Sequence, residues 1–198
     1  MKRTGFLFGA VAAAAMIAPV GARASYTPYF SLGGGYYDSR VSVSHGTASV
    51  SSNGLSLAAT GGLRFNQYFS AEVNGGVNQI RIQGADSKSD VTFVSVMPGV
   101  RMGVRVLKVF YPYVGASVGP SWTINKYSAA GIDDTRSTNT TLAYQGRAGL
   151  MFSFGGGAGL DVGVRYQNQG RLKITGRDFV VDGDVTSFNY YITASYGF

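Results

Sequence analysis

The chain has 198 residues and a formal net charge of +7, from 17 Lys and Arg against 10 Asp and Glu, with one His and no Cys. The absence of cysteine excludes a disulfide framework and a thiolate site. A single histidine leaves only Asp133 and Asp134, with Asp38, as a weak set of hard cation ligands, so neither a metal nor another cofactor is expected.

Lys2 and Arg3 give the N-terminus a basic start, and Gly5 to Val20 form an apolar, Ala-rich run. Ala22-Arg23-Ala24 then supplies the small-x-small pattern of a signal-peptidase site. Residues 1–24 are therefore expected to be a cleaved signal peptide, with the mature domain spanning 25–198. The run is too short for the ~20 residues of a spanning helix. Three of the 17 basic residues fall in this leader, leaving 14 against 10 acids, a net charge of +4. No basic cluster then remains on any helix or strand face, and a nucleic-acid partner is not expected. With no other long apolar segment, the remaining way across a membrane is a closed set of strands.

Eight segments alternate with the period of two that strands require. The first, Tyr29 to Tyr37, places Phe30, Leu32, Gly34 and Tyr36 on one face. The second, Leu55 to Phe65, presents Leu55, Leu57, Ala59, Gly61, Leu63 and Phe65. The third, Phe69 to Ile80, sets Ala71, Val73, Gly75 and Val77 against Ser70, Glu72, Asn74 and Asn78. The fourth, Val91 to Met102, carries Val94, Val96, Val100 and Met102 outward, with Pro98 predicting an irregular ladder. The fifth, Tyr111 to Trp122, shows Val114, Ala116, Val118 and Trp122. The sixth, Thr141 to Phe152, shows Leu142, Tyr144, Ala148, Leu150 and Phe152. The seventh, Gly159 to Gln167, shows Leu160, Val162, Val164 and Tyr166. The eighth alternates from Phe188 through Tyr190, Ile192, Ala194 and Tyr196 to Phe198.

The connections read alternately long and short. Asp38 to Asn53, Gly84 to Asp90, Thr123 to Thr140 and Asn168 to Asp184 are expected to be long polar loops. Asn66-Gln67, Gly103 to Phe110 and the glycine-rich Phe154 to Ala158 are the short connections. Long outer loops and short periplasmic turns are the asymmetry of outer-membrane barrels. The glycine total of 29 and the 25 Tyr and Phe suit curved strands and aromatic interface girdles. The expected fold is all-β: an eight-stranded antiparallel up-and-down transmembrane β-barrel of the bacterial outer membrane.

Several stretches carry a resemblance: Pro112-Tyr113-Val114-Gly115-Ala116-Ser117-Val118-Gly119, Ala143-Tyr144-Gln145-Gly146-Arg147-Ala148-Gly149, Asp161-Val162-Gly163-Val164-Arg165-Tyr166, and Tyr196-Gly197-Phe198. The chain resembles the small eight-stranded outer-membrane barrels, such as the OmpA transmembrane domain and the opacity and Omp25-like surface proteins. The resemblance covers the mature chain but not the peptidoglycan-binding domain of full-length OmpA, which is expected to be absent. Tyr190, Ile192, Tyr196 and Phe198 resemble the C-terminal assembly signal of such barrels, implying the barrel-assembly machinery as a partner. Because this architecture hosts adhesins, lipid-modifying enzymes and structural anchors, fold alone does not choose among functions.

Alternation directs Arg64, Glu72, Arg101, Arg147, Asp161 and Arg165 into the lumen. A barrel of eight strands is filled by its own side chains or one small ligand, and buried charges must pair. Glu72 and Asp161 are each expected to lie between arginines, forming a plug or, alternatively, a narrow anion-favouring path. Catalysis by a lipid A-modifying site would need His45, next to Ser44, with a carboxylate behind it. No His-x-Ser lies on an outward strand, so no catalytic residue is assigned. Arg171, Lys173 and Arg177 are candidates for contact with lipopolysaccharide phosphates. The leading expectation is a non-enzymatic envelope protein whose four outer loops are available for an extracellular ligand.

Overall fold

The structure, a computed structural model, describes residues 26–43, 49–83, 87–107, 109–129, 132–175 and 180–197. Eight strands follow in order: β1 (Thr27–Val43), β2 (Ser49–Arg64), β3 (Phe69–Gln83), β4 (Ser87–Gly103), β5 (Phe110–Ala129), β6 (Ile132–Gly155), β7 (Ala158–Thr175) and β8 (Val180–Tyr196). Each pairs antiparallel with its sequence neighbour, and β1 closes on β8 from Phe30↔Tyr196 to Val43↔Gly183. Closure satisfies every strand edge, which an apolar membrane demands.

The two faces are inverted relative to a water-soluble protein. Leu57, Val114, Leu142 and Ile192 stand exposed on the outer wall, whereas Glu72, Asn74, Arg101 and Gln145 are buried in the lumen. Leu142 is 72% exposed and Arg101 only 1%; that ordering makes sense only where the outside is hydrocarbon. Phe65, Tyr68, Phe69, Phe154 and Tyr196 ring one rim, and Tyr144, Tyr166, Phe188 and Tyr190 ring the wall nearer the other. These two aromatic belts mark the membrane interfaces. β1 begins and β8 ends at the first rim, where Thr27 faces Arg64 and Tyr196 faces Ala158. Asn66 shapes one turn there, its Oδ1 accepting from the amides of Tyr68 and Phe69, both at 2.8 Å.

The expected long loops need correction. β1 runs to Val43 and β2 resumes at Ser49, while the β5–β6 ladder continues to Ala129↔Ile132. Residues 123–129 and 132–140, read from sequence as loop, are paired strand. Arg171 and Lys173 likewise belong to β7. Beyond the outer aromatic belt both faces of a hairpin meet water, so Ser, Thr and Asn replace the apolar alternation although pairing continues. Periodicity registers the membrane, not the end of the strand.

Proline leaves a visible mark. The β4–β5 ladder stops after Ser95↔Ser121 and resumes at Gly99↔Ser117 in unchanged register. Pro98 and Pro120 lie in this interval on the two facing strands, and neither has an N–H to donate. A second irregularity sits in the β7–β8 ladder between Asn168 and Arg171. There Gly170 has φ +80°, and its amide donates to Asn168 Oδ1 at 2.7 Å.

Much of the glycine content is explained inside the barrel. Gly62 lies opposite Tyr29, Gly149 opposite Tyr113 and Gly163 opposite Tyr191. A Cβ on Gly62 would come within 2.5 Å of the Tyr29 ring, and one on Gly163 within 2.6 Å of the Tyr191 hydroxyl. The rings therefore lie flat across glycine on the neighbouring strand, an aromatic–glycine pairing that pins register.

Candidate functional site

The lumen holds the densest chemistry among the described residues. Each of four guanidiniums lies over a tyrosine ring: Arg64 over Tyr111 at 5.6 Å, Arg101 over Tyr113 at 4.4 Å and Tyr29 at 5.0 Å, Arg147 over Tyr113 at 5.5 Å, and Arg165 over Tyr191 at 5.1 Å. Glycine allows those rings to lie against the wall, and the rings in turn support the cations.

Glu72 on β3 is the hub. Its carboxylate pairs with Arg101 Nε at 3.2 Å and with Arg147 Nη2 reaching from β6. It also accepts from Tyr29 Oη at 2.8 Å and from Asn74 Nδ2 at 3.1 Å. Four donors from β1, β3, β4 and β6 thus converge on one buried carboxylate, spanning the lumen from wall to wall. Charge-assisted bonds of this kind exceed neutral ones in strength.

Asp161 is held differently. Tyr113 Oη lies 2.7 Å from one of its carboxylate oxygens and 2.8 Å from the other, and Tyr191 Oη sits 2.5 Å from that same Tyr113 oxygen. Sequence reasoning assigns arginine neighbours to Asp161 and misses these tyrosines. Alternation marks which residues point inward but not which strand places a hydroxyl opposite. That depends on register, which a single sequence does not display.

Toward the outer rim the lumen changes character. Ser117, Ser121, Thr123, Asn125, Gln145, Gln167, Gln169 and Asn189 are buried, neutral and polar. Asn78 Nδ2 donates weakly to Gln167 Oε1 at 3.5 Å, and Thr141 Oγ1 to the Gln169 carbonyl at 2.6 Å. On the opposite side of the wall is a groove of about 1010 Å³ facing the hydrocarbon, lined by residues including Phe69, Met102, Val114, Leu150 and Val164. Apart from Tyr68 and Tyr113 its side chains are apolar, so it offers acyl chains a surface.

The other residues singled out from sequence scatter. Tyr190, Ile192 and Tyr196 are exposed on the outer wall of β8, while Phe198 lies outside the described residues. Arg171 is exposed on β7, in register with Asp184. Arg177, His45, residues 1–24 and the side chains of Lys173, Asp133 and Asp134 also lie outside the described residues.

A closed, inside-out, eight-stranded barrel with two aromatic belts defines the class: an outer-membrane β-barrel. The family model for the outer membrane protein beta-barrel domain matches residues 8–198, and the chain belongs to that family. It is a protein of the bacterial outer membrane. Among solved structures, Neisserial surface protein A is similar at 20% identity, covering 85% of this chain and 97% of that one, with a TM-score of 0.58. The attachment invasion locus protein Ail of Yersinia pestis shares 22% identity over 86% of this chain and 99% of its own, with a TM-score of 0.53. OprG from Pseudomonas aeruginosa shares 15% over 87% and 97%, also at 0.53. These identities speak for the fold. No curated protein sequence matches the chain.

Proposed function

We propose that this chain is a non-enzymatic surface protein: a rigid barrel that holds four paired hairpins above the outer membrane for contact with the cell's surroundings. The observation that carries this reading is the division of labour along the strands. The membrane half is filled by the Glu72 network, whereas β5 and β6 remain paired past Trp122 and Tyr144 to Ala129 and Ile132. Binding residues concentrate on loops that a rigid scaffold positions.

In this reading residues 1–24 are removed on export, and the C-terminal pattern Tyr190, Ile192, Tyr196, Phe198 engages the barrel-assembly machinery. Arg171, Lys173 and Arg177 meet polyanions at the outer rim, either lipopolysaccharide phosphates or a sulfated ligand. The similarity to Ail, solved in complex with the heparin analogue sucrose octasulfate, makes sulfated polysaccharide a sensible probe. Folded protein should bind heparin–agarose and elute with salt, and replacing all three basic residues by serine should abolish retention. Equal retention of that variant would remove the basic stretch from the proposal. A lipid A-modifying activity would instead appear as altered lipid A that disappears with His45→Ala.

A second reading, a narrow anion-favouring channel, is favoured by the ratio of four lumen arginines to two lumen carboxylates. Planar-bilayer recordings of the folded barrel decide between them. Silence supports the plugged scaffold, whereas anion-selective steps altered by Arg101 or Arg147 substitution would establish the pore.

A further inference from the structure

Two consecutive register pairs on the inner face of β6 and β7 are Gln145↔Gln167 and Arg147↔Arg165. All four side chains are at least nine-tenths buried, with exposures of 4%, 2%, 6% and 6% in that order. Each of the four also has a buried nitrogen without a hydrogen-bond acceptor on the protein: Gln145 Nε2, Gln167 Nε2, Arg147 Nε and Arg165 Nε. Facing residues lie ~5 Å apart across strands and next-but-one residues ~7 Å apart along a strand, so the four form one small patch. Every orphan in it is a donor.

Charge sharpens the case. Like charges directly opposite one another on neighbouring strands destabilise a sheet. Arg147 is partly relieved because it reaches Glu72, which it shares with Arg101. Arg165 rests on the Tyr191 ring, and among the described residues it forms no ion pair. A buried guanidinium left in that condition is costly.

We propose that this patch is a binding site for one small monovalent inorganic anion of halide size, seated in the lumen between β6 and β7. An anion accepts from all four donors and offsets part of the excess of lumen arginines over carboxylates, next to Arg165, which has no ion pair among the described residues. Water accepts only about two hydrogen bonds, so it leaves at least two of the four donors unserved, even though Asn189 Oδ1, in register opposite Arg165, offers one of its protons an acceptor. The bore of an eight-stranded barrel admits only a small guest, which favours a halide over a larger oxyanion. The site lies between the neutral amides of the outer lumen and the Glu72 network. The proposal stands whether or not the barrel conducts.

The test uses the full chain folded in detergent, at fixed ionic strength, with sodium bromide exchanged for sodium gluconate, whose anion is too large for the lumen. Bromide should raise the unfolding temperature in a saturable manner that gluconate does not reproduce. Arg165→Gln should weaken the apparent bromide affinity at least about tenfold, since it removes a charged donor. Gln145→Leu keeps every charge, and should weaken it about three- to tenfold through loss of one donor; this variant decides if Arg165→Gln does not fold. Crystals soaked in bromide should show an anomalous peak within hydrogen-bond reach of the four nitrogens. A wild-type response identical in the two salts, an undiminished bromide response in the variants, or soaked crystals without that peak would each overturn the proposal.

Discussion

The two halves of the lumen use the same wall for opposite purposes. Toward the short turns, Glu72, Asp161, Arg64 and Arg101 sit among Tyr29, Tyr111, Tyr113 and Tyr191, with rings over guanidiniums and hydroxyls on carboxylates. Toward the outer rim, serines, threonines and amides line the wall, and several of their polar atoms, such as Ser121 Oγ and Gln169 Nε2, have no protein partner. The first half is cross-braced: strands distant in the closed order, β3 and β6, are tied through one carboxylate. The second is joined mainly around the wall, by neighbouring ladders. Stability should therefore be concentrated near the turns, leaving the outer half free to vary with the hairpins it carries.

Removing the hub should have the largest effect. Glu72→Ala removes the carboxylate that pairs with Arg101 and Arg147 and one acceptor each from Tyr29 and Asn74. Breaking a buried pair by deleting one partner costs about 3–5 kcal/mol, to be read as a lower urea midpoint for unfolding from lipid bilayers. A loss below ~1 kcal/mol would mean that the cross-brace contributes little. Next is Tyr113→Phe, which keeps the ring under Arg101 and Arg147 but removes the hydroxyl from Asp161. Hydrogen bonds to charged groups contribute about 1.5–3 kcal/mol, and the same unfolding assay should register a loss in that range.

Alternation by itself makes the inward set legible: Arg64, Glu72, Arg101, Arg147, Asp161 and Arg165 all belong to the face opposite Leu57, Val100 and Val164. Their partners are not legible in the same way. Tyr113 and Asp161 are 48 residues apart, and only the register through β6 brings them together. The orphan donors of Gln145 and Gln167 are hidden for the same reason, since neutral amides on a wet face attract no notice singly. Strand ends escape sequence reading because the apolar signal stops at the membrane belt while the ladder through Lys126↔Arg136 goes on. Fold and facing thus follow from local pattern, whereas chemistry that depends on closure does not.

A third substitution tests whether the glycine–tyrosine pairing supports the braced half. At Gly163 an added Cβ would fall 2.5 Å from the Ala148 carbonyl oxygen and 2.6 Å from Tyr191 Oη. Gly163→Ala must therefore shift the β6 backbone as well as the ring, at a cost typical of overpacking, about 1–3 kcal/mol. Because Tyr191 also carries Arg165, near-ultraviolet circular dichroism of the tyrosines should change in the folded variant. An unchanged spectrum with unchanged stability would show that the ring does not need the glycine.

The smallest effect is expected where the comparison is most exposed to refutation. Ser121 is fully buried, yet its hydroxyl has no protein partner and it faces Ser95 across the β4–β5 ladder just before the proline gap. Ser121→Ala removes one oxygen and leaves no protein donor or acceptor stranded, so the change should stay within ~0.5 kcal/mol. The position is as deeply buried as Glu72, and burial alone would forecast similar sensitivity at both. A large loss at Ser121 would mean that the outer half is braced too, through water held between its hydroxyls and amides. A negligible loss beside a severe one at Glu72 would show that what ties this barrel across its bore is paired charge near the turns, with the outer lumen contributing lining alone.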